Sequence, residues 1–254
     1  IFSAQTVGPC DGINSDYFPS GSNSTSSYST CRPQLAASGI NSWLEPASCE
    51  DSALRPQGGA TEETVYAAIR QIGRIFDVNT VAEQLVSRIR ADFAIAESTL
   101  NSSGLSRRAV WLDCVGCRSC GPDAFYVGSG EGAPNLIMRE SGLTNVFGSR
   151  SNSWTCVNIS EIVSEAPEVW VIVDASWDTA ISKIETLHNR SDTCGLTSVQ
   201  SGAYITIPFS ASTLGPRNGA AALDMVSAAI HVTTGETAMN FQSGVTFIQP
   251  QVLE

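Results

Sequence analysis

Two kinds of residue in this 254-residue chain could do chemistry: closely spaced cysteines, and aromatic side chains next to apolar runs. Cys114, Cys117 and Cys120 are each separated by two residues. This spacing occurs in iron–sulfur and zinc sites, but the sequence offers no fourth ligand nearby. The two histidines, His188 and His231, lie far apart and do not make a metal site either. We therefore interpret the cysteines as disulfide partners.

The chain has eight cysteines, an even number that is typical of secreted proteins with disulfides. One disulfide could close the Ser-, Gly- and Asn-rich loop at 8–33. The three clustered cysteines cannot all pair locally, so at least one of them should reach a distant partner. The predicted disulfide cysteines are Cys10, Cys31, Cys49, Cys114, Cys117, Cys120, Cys156 and Cys194.

Four Asn-x-Ser/Thr sequences are candidate glycosylation sites, at Asn23, Asn101, Asn158 and Asn189. Together with the cysteines they favour a glycoprotein that is secreted or held on the extracellular side of the plasma membrane. No apolar run reaches the 18 residues or so that a membrane-spanning helix needs. The sequence thus predicts an extracellular location.

Composition and motifs argue against two classes of function. The 14 basic residues are scattered among 25 acidic ones and the net charge is −11, so we expect no nucleic acid partner. There is no Gly-x-Ser-x-Gly motif, and histidine is too scarce for a Ser-His-Asp triad. Glu131 and Asp174 could act as paired carboxylates, but nothing in the sequence brings them together. We expect no enzyme.

Aromatic residues are better candidates for contacts with a ligand. Phe125, Tyr126 and Phe209 lie at predicted strand ends, where open α/β sheets bind ligands. Trp154 and Trp177 are expected in loops or at a helix start. Aromatic faces of this kind grip large planar ligands, although packing in the core is the alternative for each of them.

Two loops could add polar contacts. The loop after the last expected strand carries Arg217, which could bind a carboxylate, phosphate or carbonyl oxygen, or else pair locally. Gly128, Gly130 and Gly132 resemble a phosphate-binding loop. They lack the Lys-Ser/Thr that follows in such loops, and Glu131 would repel phosphate, so we predict a turn.

Periodicity predicts the elements that hold these residues. Apolar residues between Val81 and Leu100 recur every three or four positions, which indicates an amphipathic helix over Asn79–Ser103, preceded by a helix over 62–76. After Gly104 strands alternate with helices, which is typical of an α/β domain with a mostly parallel sheet. Strands are expected at 109–114, 124–127, 168–173 and 203–207, and helices at 135–141, 158–164, 178–187 and 219–231.

Four short motifs follow one another between residues 107 and 231. They are Phe125-Tyr-Val-Gly128 before an apolar helix, Ser141-Gly-Leu-Thr-Asn145-Val146, the stretch 158–173 ending in Pro167-Glu-Val-Trp-Val-Ile-Val173, and the stretch 198–208 ending in Tyr204-Ile-Thr-Ile-Pro208. In this order they resemble the C-terminal lobe of class III periplasmic binding proteins, the family of vitamin B12- and ferric-siderophore-binding proteins. The cysteines, the glycosylation sequences and the stretches WLEPASCEDSALRP and IPFSASTLGPRNGAAALDM resemble eukaryotic, especially algal, relatives.

The resemblance implies two α/β lobes with mostly parallel sheets, joined by one long helix. The partial N-terminal lobe would be residues 1–78, the linker helix 79–104 and the C-terminal lobe 105–254. Because the first lobe of the family is longer, we expect this chain to begin within it. The missing part would then be absent from this sequence, cleaved off or present as a separate chain. A genuinely shorter first lobe is the alternative.

The resemblance also implies that the protein captures a solute between its lobes and takes part in uptake with a membrane transporter or surface partner. A cobalamin-like corrinoid is the first expectation for the ligand and a ferric siderophore the second, with no further cofactor. A structural or assembly glycoprotein that kept the fold without binding is the third possibility. The expected ligand-binding residues are Phe125, Tyr126, Gly128, Trp154, Trp177, Phe209 and Arg217.

Overall fold

The computed structural model describes residues 2–3, 39–41, 43–45, 55–117, 120–234 and 244–248. The chain divides into two compact units, Ile1–Gly59 and Ala60–Glu254. In the first unit, strand β1 (Phe2–Ser3) pairs in parallel with β2 (Trp43–Leu44). The predictions for Cys10, Cys31, Cys49 and Asn23 lie outside the described residues.

The second unit alternates helices and strands, as predicted. Its elements are α1 (Glu62–Ile75), α2 (Asn79–Ser103), β3 (Arg107–Val115), β4 (Ala124–Gly128), α3 (Ala133–Glu140), β5 (Leu143–Asn145), β6 (Trp154–Asn158), α4 (Ile159–Glu165), β7 (Val169–Asp174), α5 (Ala180–Asn189), α6 (Thr197–Gln200), β8 (Tyr204–Pro208), α7 (Phe209–Ser212), α8 (Asn218–Thr234) and β9 (Thr246–Ile248). Strands β6 and β9 and the short helices α6 and α7 were not predicted. Trp154 therefore begins a strand and does not lie in a loop.

The strands of this unit form a seven-stranded sheet in the order β6-β4-β3-β7-β8-β9, with β5 also paired to β3. The pairings of β3 with β5 and β7, and of β7 with β8, are parallel. The pairings of β4 with β3 and β6, and of β8 with β9, are antiparallel. Only β4 and β9 therefore run against the other five strands of this sheet, which confirms the predicted α/β class with a mostly parallel sheet.

Helices cover both faces of the sheet and enclose two apolar cores. Successive side chains of a strand point to opposite faces, so the buried strand β3 sends Trp111 into one core and Leu112 into the other. The first core lies under α1, α2, α3 and α8, and the second under α4, α5 and α6. Strand β7 is buried on both faces up to Val173, as expected for a central strand.

Helix α2 has the predicted bounds and ends at Gly104, whose φ of 63° places it in the left-handed region that favours glycine. Its buried face differs from the prediction in the first turns. Val81 is 60% exposed and Ala82 is buried in its place. Ala82 packs against α1 so closely that a Cβ at Gly73 would lie 2.5 Å from the Ala82 Cβ.

Helix α2 packs along α8 at close range. A Cβ at Gly219 would lie 2.8 Å from the Ile89 carbonyl oxygen, so glycine is needed for this approach. Helices α1 and α2 belong to the second compact unit, which begins at Ala60. The division into lobes at residues 78 and 104 stays a prediction. That α2 also bridges to an N-terminal lobe stays a prediction.

Candidate ligand-binding site

The candidate site lies where the carboxyl ends of the parallel strands β3, β7 and β8 meet, at one end of the sheet. This end is called the edge. In the register of the sheet, Tyr126 lies between Cys114 of β3 and Cys156 of β6, while Asp174 lies opposite Pro208. The segments that leave β7 and β8 at this edge carry Trp177 and Phe209. The crevice outside the carboxyl ends of such strands is the usual ligand position in open α/β sheets.

Trp177 and Phe209 form an aromatic pair at this edge. Their ring centroids lie 5.0 Å apart with an interplanar angle of 73°, an edge-to-face arrangement. Trp177 is 72% exposed, the most exposed of the large apolar side chains in the described part of the chain. The pair therefore presents a free aromatic surface to solvent, beside the strand ends.

A tight turn holds Trp177 in place. The backbone groups of Ala175 and Asp178 hydrogen-bond to each other in both directions, at 3.3 and 3.1 Å, so Trp177 lies near the tip of a closed turn. The buried Lys183 of α5 holds this turn through its side chain. Its Nζ donates to the carbonyl oxygens of Val173 and Asp178 and lies 3.3 Å from Asp178 Oδ2. The exposed ring therefore has a rigid base.

Lys183 was not identified from the sequence. It lies on the buried face of α5 together with Ala180, Ile184 and Leu187, at the helical spacing of a core residue. Its position on the apolar face of the helix was the available signal, because a buried ammonium group needs hydrogen-bond acceptors. Burial lowers the pKa of Lys183, and the Asp178 carboxylate opposes this shift.

The loop after β8 places Arg217 near the same edge. Arg217 is exposed, and its Nη1 donates to Ser210 Oγ at 2.6 Å. The buried Asn218 holds the loop: its Oδ1 accepts from Gly215 N, and its Nδ2 donates to the carbonyl oxygens of Ala211 and Thr213. Arg217 thus has a local partner, one of the two alternatives predicted, and its side chain is otherwise exposed to solvent.

Tyr126 and Asp113 complete this edge. Tyr126 is half-buried, and burial raises the pKa of its hydroxyl, with the Asp113 carboxylate adding to the shift. Burial also raises the pKa of Asp113 to about 6, against the attraction of Lys183 and together with the repulsion of Asp178. Asp113 was not identified from the sequence. The available signal was an acidic residue near the end of the buried run AVWLDC.

Phe125, Gly128 and Trp154 are placed elsewhere. Phe125 is 1% exposed and packs in the second core. Gly128 pairs with Trp154, two residues beyond Tyr126 along a strand that runs antiparallel to β3. Both therefore lie toward the opposite end of the sheet from Trp177 and Phe209, and their predicted contact with a ligand stays a prediction.

The glycine-rich loop after β4 is closed by its own hydrogen bonds. The N–H groups of Ser129, Gly130 and Glu131 donate to the carbonyl oxygens of Ser153, Arg150 and Asn152 at 2.9 to 3.0 Å. These amides are therefore not available to a phosphate, in agreement with the predicted turn. Glu131 in this loop and Asp174 at the other edge do not form a carboxylate pair; Asp174 Oδ1 accepts from Ala180 N.

Two disulfides flank Tyr126. Cys114 pairs with Cys117, and Cys120 pairs with Cys156, which confirms that one clustered cysteine reaches a distant partner. The disulfide predicted for Cys194 is not formed, because the other described cysteines pair with one another and Cys194 keeps a free, exposed thiol.

The other predicted sites lie on the surface. Asn101, Asn158 and Asn189 are exposed, at the ends of α2, β6 and α5 respectively, and their glycosylation stays a prediction. His188 Nε2 lies 3.0 Å from the Tyr204 hydroxyl.

Among the described residues no group of His, Cys, Asp and Glu side chains could hold a metal ion. None of the helices in this part of the chain is both long and apolar enough to cross a bilayer.

Comparisons with solved structures show the same architecture. The chain is similar to a protein described as an ABC-type Fe3+-hydroxamate transport system from Saccharomonospora viridis, with 24% identity and a TM-score of 0.65 over 82% of this chain and 66% of that one. A periplasmic binding protein from Veillonella parvula is 19% identical with a TM-score of 0.63, over 81% and 65%. The heme-binding protein RhuT from Roseiflexus sp. is 15% identical with a TM-score of 0.63, over 79% and 70%.

At these identities the solved structures establish the fold alone, and this chain spans about two thirds of their length. No curated protein matches. The sequence profile of the periplasmic binding proteins matches residues 48–209, which is more than half of the chain and includes β3, β7, β8 and the Trp177 turn. The protein belongs to the periplasmic binding protein family.

Proposed function

We propose that this protein is a solute-binding protein that holds a medium-sized ligand against the edge formed by Tyr126, Trp177, Phe209 and Arg217. The observation that carries the proposal is Trp177, an indole 72% exposed on a turn that is fixed by a buried lysine. Leaving a large aromatic ring in water is unfavourable, and a rigid exposed ring is typical of a binding surface.

The surface suits a ligand with a broad apolar face and polar edges. The edge-to-face pair of Trp177 and Phe209 offers an apolar contact, and the exposed guanidinium of Arg217 would offer hydrogen bonds at its rim. Corrinoids such as cobalamin and ferric siderophores both have this character. Relatives named as Fe3+-hydroxamate and heme-binding proteins support the same range of ligand size.

Isothermal titration of the purified chain with cyanocobalamin, ferrichrome and hemin tests the proposal. We expect one of the first two to bind. Trp177→Ala should lower the affinity about tenfold or more, because buried aromatic contacts dominate binding energies. Phe76→Ala is the matched control: Phe76 is 58% exposed in the connection of α1 to α2, and its loss should leave affinity unchanged.

Two results would contradict the proposal. One is the absence of binding to all three ligands by the folded chain, which would favour the structural glycoprotein instead. The other is a ligand that binds the parent and Trp177→Ala equally well. Equal losses in Trp177→Ala and Phe76→Ala would point to damage of the fold rather than of a site.

The cellular setting is part of the same proposal. Disulfides and exposed glycosylation sequences fit a protein on the extracellular side of the membrane, where it would pass its ligand to a membrane transporter. The comparisons lend no support to a separate chain that completes an N-terminal lobe. Treatment with peptide-N-glycosidase, followed by mass measurement at Asn101, Asn158 and Asn189, would test the glycans.

A further inference from the structure

Asp113 occupies an irregular position in the sheet, at the candidate binding edge. Leu112 pairs with Val127 and Cys114 with Tyr126, so a bulge leaves Asp113 without a partner residue on β4. Bulges bend a strand and re-aim a side chain, and they are frequent next to functional sites. Asp113 is half-buried at this bulge, beside Tyr126 and the turn that carries Trp177.

The Asp113 carboxylate lacks the hydrogen bonds that the neighbouring acid has. Asp174 accepts from the Ala180 N–H at 2.8 Å, whereas no group among the described residues donates to Asp113. A half-buried carboxylate that no protein group donates to is less well solvated than an exposed one, and a ligand donor would satisfy it. This need distinguishes Asp113 from an ordinary surface acid.

The charged groups around Asp113 do not meet this need. Lys183 of α5 attracts it, but the Lys183 ammonium donates to Val173 and Asp178. Asp178, from the turn after β7, repels it, and Tyr126 of β4 faces it with a hydroxyl whose pKa is raised. The carboxylate therefore keeps acceptor capacity that none of the described residues uses.

We propose that Asp113 selects the ligand by accepting a hydrogen bond from an N–H donor, an amide or an ammonium group. The inference rests on the proposed function and narrows its ligand class. Corrinoids carry amide groups around their rim, and some ferric siderophores carry amide or ammonium groups. Heme carries carboxylates, which Asp113 and the net charge of −11 would repel.

A pair of ligands that differ at one group tests the selection. Cyanocobalamin and its monocarboxylic acids, in which one rim amide is replaced by a carboxylate, should differ in affinity for the parent by about tenfold or more in at least one isomer. Ferrioxamine B, with its ammonium group, and hemin, with its carboxylates, form a second pair that differs in more than one group and contrasts the two ligand classes. In Asp113→Asn the preference within each pair should shrink to a few-fold at most.

The pH profile supplies a readout that a purely structural role would not move. Protonation of Asp113 removes the charged acceptor, so affinity of the parent for an N–H ligand should fall as the pH is lowered from 7.5 to 5. Asp113→Asn should show a flat profile. Asp192→Asn, which changes an exposed acid paired with Arg190, is the control and should keep the profile of the parent.

Folding does not obscure the result. Because burial raises the pKa of Asp113, its ionised form is unfavourable in the folded state, and stability due to this group is lost as the pH rises through about 6. Asp113→Asn should thus be at least as stable as the parent at pH 7.5. Equal ligand preference and equal pH dependence in the parent and Asp113→Asn would overturn the inference, whereas absence of binding by the parent would overturn the proposed function instead.

Discussion

The two ends of the seven-stranded sheet differ in how their polar groups and aromatic rings are used. At the end with Gly128 and Trp154, the backbone of the glycine-rich loop bonds to its own chain, and Asn145 Nδ2 donates to the Gly128 carbonyl. At the other end Trp177 is exposed and Asp113 has no donor among the described residues. At the first end the loop backbone is bonded within the chain, although the buried Trp154 indole N–H has no acceptor among the described residues. The second end leaves an exposed ring and a carboxylate open to contacts.

Glycines and aromatic residues alone therefore do not identify a binding surface. A Cβ at Gly130 would lie 2.3 Å from the Gly148 carbonyl oxygen, so glycine is required there for packing between two chain segments. The aromatic pair at the open end, by contrast, touches solvent on a base that is internally bonded. A better criterion for a binding site is a side chain that is held rigidly by its surroundings and still has surface or polar groups open to a ligand.

Lys183→Met should have the largest effect and would break the support of the open end. Removing one partner of a buried ion pair is expected to lower the free energy of unfolding by about 3–5 kcal/mol, because Asp178 loses its counter-charge. Ligand affinity should fall too, since the Trp177 turn loses its base. Urea denaturation and titration measure both effects.

The control for Lys183 is Arg108→Met, which removes an exposed ion pair with Glu165 and should change stability by less than about 1 kcal/mol. If the two variants lose equal stability, the buried lysine does not anchor the turn.

The two disulfides next to Tyr126, at the open end of the sheet, should contribute unequally to the free energy of unfolding. Cys120 and Cys156 are separated by 36 residues, and Cys114 and Cys117 by 3. Loop-closure entropy gives about 4 kcal/mol for the long loop and about 2 kcal/mol for the short one. Replacing each pair with serine and measuring thermal unfolding tests this order, and a larger loss for the short loop would contradict it.

Gly130→Ala should weaken the closed end without touching the site. The added methyl group meets backbone oxygens of Gly148 and Arg150, so we expect stability to fall by about 1–3 kcal/mol in urea. Affinity for the ligand should be unchanged at a temperature where the variant is folded. A loss of affinity that exceeds the loss in Lys183→Met would reverse the assignment of the two ends.

Much of the fold could be predicted because its signals are local. The run Val169–Val173 is apolar throughout, and the 3–4 spacing of α2 together with Gly104 gave its bounds. Strand β6 was missed because WTCVN is short and follows a Ser-rich stretch, and its pairing with β4 is a long-range contact. The buried face of α2 is shifted by one residue in its first two turns, where Gly73 admits Ala82, and agrees with the prediction from Ile89 to Ala96.

The site was predictable only in part, for a reason of strand direction. Trp177 and Phe209 follow strands that run the same way, so both reach one edge. Strand β4 runs against β3, which places Tyr126 at that edge and Gly128 toward the other. A sequence pattern does not reveal this reversal, nor the bulge that frees Asp113.

We expect the ligand to bind at the Trp177 end of the sheet. Indole ¹⁵N NMR of the five tryptophans during titration with cyanocobalamin, and with gallium-loaded desferrichrome as a diamagnetic siderophore, tests it most directly, with Trp177→Phe to assign the signal. We predict that the Trp177 indole resonance shifts on saturation while those of Trp111 and Trp154 stay in place. A shift of Trp154 with no change at Trp177 would contradict the account.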